Sequence, residues 1–137
     1  MTNLEQIRAS RAFTKAALFA ERNDSQKYLS LARSLPAMFQ NNGLLATWAF
    51  LLAEHKPSPN PKADFLDVLL EHFKDVHFNL GVGQELNAMT VFIHKWTGGT
   101  PPLSGVELMK LTGEAVIFSG WLKRAAEALC NKEGGQS

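Results

Sequence analysis

Ser34-Leu35-Pro36-Ala37-Met38-Phe39-Gln40-Asn41-Asn42-Gly43-Leu44-Leu45 decides the fold class. A helical segment carrying Leu-Pro runs into Asn-Asn-Gly and then into an apolar stretch, Leu44 to Ala53. Punctuation of this kind separates helices rather than strands. Pro36 removes an amide donor and crowds the preceding turn, so a kink or break is expected at Leu35. Gly43 can supply a left-handed cap that stops the helix. Residues 34–53 carry no charged side chain, yet the purely apolar part is about ten residues, roughly half of what a bilayer requires. It reads as a buried core helix.

Outward from this stretch the pattern stays helical. The first helix runs from about Asn3 to Glu21, and Asp24 or Ser25 caps the second, which reaches about Asn42. The apolar helix extends to about His55. Lys56-Pro57-Ser58-Pro59-Asn60-Pro61 is a loop, with Asn60 as N-cap and Pro61 as first helical residue of a helix to about Phe78. A further helix is expected from about Gln84 to Trp96. Ser104 and Glu107 form a capping box for a last helix to about Asn131. No period-2 alternation long enough for a strand occurs. The expectation is an all-α, compact single-domain bundle of about five to seven helices over residues 1–131, with 132–137 as a flexible tail.

Two faces define the expected core. Leu108, Leu111, Ala115, Phe118, Leu122, Ala126 and Leu129 follow three- and four-residue steps on the last helix. Ala9, Ala12, Phe13, Ala16, Ala17 and Ala20 form the matching face of the first. Trp48, Trp96 and Trp121 read as core or interface anchors.

Charge is nearly balanced at +1, so bulk electrostatics make no case for nucleic acid. The distribution is uneven: residues 1–40 carry six Lys/Arg against three Asp/Glu, and 41–100 carry four against six. The lone Cys130 rules out an internal disulfide and a cysteine-based zinc site, which fits a reducing cytoplasm. Glu5, Arg8 and Arg11 break any apolar run at the start, so no signal peptide is read.

Arg8, Arg11, Lys15 and Arg22 fall on one side of the first helix, away from the expected Ala/Phe13 face. Cations at this spacing can follow a phosphodiester backbone; a solvated face is the plainer alternative. Asp64, Asp67, Glu71 and Asp75 share a face on the helix after the Pro-rich loop. Placed opposite the cations, that stripe would allow identical subunits to stack head to tail. No nucleophile or base accompanies these carboxylates. His55, His72, His77 and His94 lack the Glu-x-x-His spacing of a di-iron bundle, and no metal or cofactor is expected. Lys123 and Arg124 point away from the core face.

The basic first helix, the Leu35-Pro36…Asn42-Gly43-Leu44 turn and the closing Trp121-Leu122-Lys123-Arg124 helix together resemble one family. It is the small helical subunit of the Cmr (type III-B CRISPR) RNA-guided complex. The resemblance implies an all-helical, non-catalytic subunit that stacks in copies beside the backbone nuclease subunit and the large polymerase-like subunit. It implies contact with guide RNA and target RNA through phosphates, by Arg8, Arg11, Lys15 and Arg22, with Lys123 and Arg124 as further candidates. Alternatives are the small subunit of a Csm-type or DNA-targeting CRISPR complex, or a helical protein–protein adaptor.

Overall fold

In the computed structural model, described over residues 3–53, 60–84 and 86–130, the chain is a helical bundle without strands among those residues. Five α-helices are present there: α1 (Leu4–Ala20), α2 (Ser25–Leu52), α3 (Pro61–Phe73), α4 (Ala88–Val91) and α5 (Gly105–Leu129). A 3-10 turn spans Val76–Phe78 and a π-helical turn spans Phe92–Thr97. The expected Pro-rich loop and C-terminal tail lie mainly outside the described residues, as does His55.

Local chemistry sets most helix starts. The Asn3 side chain accepts from the Glu5 amide at 2.8 Å. Asn60 does the same for Lys62 at 3.1 Å, with Pro61 at the first helical position. Ser104 and Glu107 make both bonds of the expected capping box, at 3.1 and 3.0 Å. Each satisfies amides that a helix N-terminus leaves without partners.

The bend in α2 lies at Gly43, not at Pro36. The helix runs through Pro36, and the single non-helical residue is Gly43, with φ 86° and ψ 174°. A β-carbon all but forbids that region, so this joint requires glycine. The first arm of α2 packs against α5. The second carries Trp48, which is fully buried against Phe73 and Trp96 with ring centroids 5.8 and 4.9 Å away. Its indole N–H donates to the Ala88 carbonyl at 3.1 Å. Trp48 therefore ties the Gly43 bend to α3, α4 and the π turn.

Two expected helices are shorter than their sequence patterns. α3 stops at Phe73 because Asp75 turns its carboxylate onto the His77 amide at 2.9 Å, capping the 3-10 turn instead of continuing the helix. The next helix, α4, starts at Ala88 rather than Gln84, capped by Asn87 through the Thr90 amide. Gln84 is held by reciprocal bonds with Lys74, at 2.6 and 2.8 Å.

The α5 core face is close to expectation: Leu111, Ala115, Phe118, Leu122 and Ala126 are buried, while Leu108 is half-buried and Leu129 exposed. On α1 the face is rotated. Ala12, Ala16 and Phe19 are buried, whereas Phe13 and Ala17 are exposed. Phe19 is the anchor, stacked on Tyr28 at 4.5 Å and edge-on to Phe65 at 5.1 Å. This rotation brings the cation row to the protein's inner side.

Gly43→Ala should lower stability by about 1–3 kcal/mol, read as an earlier urea midpoint. Pro36→Ala should not lower it. An unchanged Gly43→Ala midpoint would show that the joint relaxes without glycine.

Candidate nucleic-acid interface

The rotation of α1 decides what its cations do. Arg8 binds Glu114 of α5 through two parallel bonds, Nε to Oε2 at 2.8 Å and Nη2 to Oε1 at 2.7 Å. Arg11 donates through Nη2 to Asp75 at 2.7 Å. Lys15 pairs with Glu71 at 2.9 Å, and Arg22, which lies in the turn after α1 and not on the helix as expected, is 3.7 Å from Asp64. The basic and acidic stripes thus face each other inside one molecule, not across opposite sides of it. That corrects the geometry expected for head-to-tail stacking, because three of the four carboxylates are already paired. Asp67 alone of the four has no ion pair among the described residues.

His72 joins these pairs into one network. It is fully buried, flat against Phe118 with ring centroids 3.8 Å apart and an interplanar angle of 3°. Its Nδ1 lies 2.7 Å from Arg11 Nη1, and its Nε2 lies 2.7 Å from Glu114 Oε2. A guanidinium has no lone pair to offer, so Arg11 donates and Nδ1 carries no proton. The proton is on Nε2 and is donated to Glu114. His72 is therefore the neutral tautomer. Burial, and after it the two guanidiniums, lowers its pKa despite the pull of Glu114.

The carboxylates are held ionised. Burial opposes charge on Asp75, but bonds from Arg11 and His77 outweigh it and bring its pKa to about 2. Burial likewise opposes charge on Glu114, and Arg8 and His72 prevail, leaving its pKa below the ordinary value. Both His72 nitrogens are occupied and the ring is closed to solvent, so this histidine offers no free base to a substrate.

The α1 row makes a poor phosphate track. A groove of about 520 Å³ and a second of about 470 Å³ flank Arg11, Glu71 and Asp75 on either side. A phosphate entering either groove meets carboxylates beside the cations.

Cations without carboxylate partners lie elsewhere. Lys123 and Arg124 are exposed on α5, and neither has an ion pair among the described residues. Arg124 rests over the Trp121 ring at 5.4 Å. α2 and α5 run antiparallel: Gln26 donates to the Cys130 carbonyl at 2.7 Å, and Arg33 reaches Glu127 at 3.2 Å. This alignment brings Lys27, also exposed and unpaired among the described residues, to the α5 end that carries Lys123 and Arg124. Nothing local in the sequence marks Lys27; only the long-range pairing of two helices does. No group of three His, Cys, Asp or Glu placed to hold a metal occurs among the described residues, and none of their helices is long and apolar enough to cross a membrane.

Acid should destabilise the fold in two stages. The folded pKa of His72 lies below its unfolded value of about 6.5, so the unfolded chain takes up that proton first and stability falls as pH drops below about 6.5. The depressed carboxylates contribute above their ordinary values, 4.5 for Glu114 and 3.8 for Asp75, and the Asp75 share is lost between about pH 4 and 2. Thermal midpoints across pH check this; a flat profile down to about pH 4 would contradict the neutral His72.

Glu114→Gln, which leaves Arg8 facing no charge, should cost about 3–5 kcal/mol. Lys15→Ala should cost under about 1 kcal/mol, because Glu71 is more than half exposed. Chemical denaturation reads both, and equal losses would mean the buried pair is no stronger than the exposed one.

Across these elements the chain matches a protein-family model described as CRISPR-associated protein (Cas_Cmr5) over residues 4–129. The match runs from the start of α1 to the end of α5 and takes in the network and both sets of cations. The chain belongs to this CRISPR-associated Cmr subunit family.

Proposed function

We propose that this chain is a non-catalytic small subunit of a type III-B Cmr ribonucleoprotein, contacting RNA phosphates without sequence preference. Copies align along the groove in which guide RNA and target RNA pair, beside the backbone nuclease subunit and the large polymerase-like subunit, in the cytoplasm. The observation that supports an RNA contact is the patch of Lys27, Lys123 and Arg124, exposed at one end of the bundle and, among the described residues, held in no ion pair. Arg8, Arg11, Lys15 and Arg22 serve chiefly as scaffold in this reading, because a phosphate would have to displace their carboxylates. Three cations per copy give weak binding alone, and a row of copies raises it through avidity.

Fluorescence anisotropy of the purified protein on single-stranded RNA, over a salt series, tests this. Three phosphate contacts on a single strand predict a slope of log K against log salt of about −2. The triple variant Lys27→Glu, Lys123→Glu, Arg124→Glu should abolish binding, while Lys95→Glu, elsewhere on the surface, should preserve it. An undiminished triple variant would remove the patch from the account. No binding at low salt would leave a subunit that meets only protein.

A further inference from the structure

We infer that Trp121 and Arg124 form a stacking platform for one unpaired RNA base, so that this end of the bundle takes single-stranded RNA by base and phosphate together. The inference rests on the reading of Lys27, Lys123 and Arg124 as an RNA contact and names the form of RNA that the contact takes.

Trp121 differs from the other two tryptophans. Trp48 and Trp96 are buried and lie edge-on to one another at 4.9 Å, and the Trp48 indole donates to a backbone carbonyl. Trp121 is half-buried and packs one side against the core. Among the described residues it pairs with no other ring, and its indole N–H has no hydrogen-bond partner. The one buried side-chain polar atom without a partner there is the Thr47 hydroxyl, so the Trp121 N–H is open to solvent. An aromatic ring with an apolar side on the core and a free polar edge is suited to meeting a partner molecule.

Arg124 is laid down on the helix instead of extending into solvent. Its guanidinium stands over the Trp121 ring, 5.4 Å from the centroid, and Nη1 reaches back over Gly120, where a β-carbon would lie 3.5 Å from it. No carboxylate holds it in place among the described residues. The residue is exposed, so the outward side of the guanidinium is open. A guanidinium is planar, permanently charged and weakly hydrated. Unpaired bases stack on such planes and on aromatic rings, with little regard to which base it is.

Helix geometry sets base and phosphate on the two flanks of α5. Trp121 lies two turns from Glu114, on the flank that meets Arg8 of α1. Lys123 lies one turn from Glu127, on the flank that meets Arg33 of α2. Arg124 falls between them. A strand crossing α5 here meets Lys27 and Lys123 with its phosphates on the α2 side and the Arg124–Trp121 platform with a base on the α1 side. A nucleotide supplies in one unit what these groups call for: an anion for the lysines, a flat face for the guanidinium and acceptors for the indole N–H. Bases within a duplex stack on one another and offer no free face, so the occupant is an unpaired nucleotide.

The test compares two strands of equal length by anisotropy with the full chain: oligouridylate, and an abasic strand that keeps ribose and phosphate. Wild type should bind oligouridylate about tenfold more tightly, the scale of one stacked base. Arg124→Lys keeps the charge and removes the plane. It should erase that preference and leave abasic affinity and the thermal midpoint unchanged. Trp121→Leu should also erase it, along with the quenching of tryptophan fluorescence that oligouridylate causes in wild type; Arg124→Lys guards against a folding defect in this variant. Lys123→Gln should weaken both strands alike. Equal binding of the two strands by wild type, or a preference that survives Arg124→Lys, would overturn the platform and leave the phosphate contact standing. Failure of both strands to bind at low salt would remove the contact and the platform with it.

Discussion

One buried imidazole organises the charges of this protein. His72 accepts from Arg11 and donates to Glu114, while Arg8 grips the same carboxylate and Arg11 reaches on to Asp75. Helices α1, α3 and α5 all contribute, so the network fixes where α1 lies against the other two. Interior charges are tolerated when each has a partner and spare hydrogen-bonding capacity is filled. Here each guanidinium meets a carboxylate, and the neutral ring between them fills the remaining lone pair and donor. Phe118 and Phe78 close over the ring, with centroids at 3.8 and 4.4 Å, and keep water from it.

That arrangement also sorts the surface. Arg8, Arg11 and Lys15 are held inward, so the outer surface is defined by what the network leaves out: Lys27, Lys123 and Arg124 at one end, and the exposed Val106, Met109 and Ile117 of α5. A nearly neutral chain can present a basic patch because its acidic residues are used elsewhere.

The parts legible in the sequence were those set by neighbours in the chain. Asn60 with Pro61, Ser104 with Glu107 and the Leu111–Phe118–Leu122 spacing each act within one or two turns, and each appears where expected. The all-helical class followed from the same local signals. Less visible was anything decided between helices. In an alanine-rich helix, Phe13 and Phe19 are equivalent to the eye, and the choice falls to Phe19 because Tyr28 and Phe65 wait for it. Pro36 and Gly43 both looked like breakers; Gly43 is one, turning Trp48 towards Phe73 and Trp96, whereas the helix continues through Pro36. The charge stripes were visible on each helix separately. That they face one another depends on the rotation of α1, which no local spacing reveals.

The most direct test of the network is the protonation of His72, read by long-range proton–nitrogen NMR of the imidazole. The account predicts a neutral ring near pH 7 with its proton on Nε2 and a bare Nδ1, and a ring still mostly neutral at about pH 6.5, where a free histidine is half charged. A proton on Nδ1, or a His72 that titrates like free imidazole, would contradict it. In that case Arg11 and Glu114 would not be engaged as described, and the α1 cations would be available to solvent and phosphate.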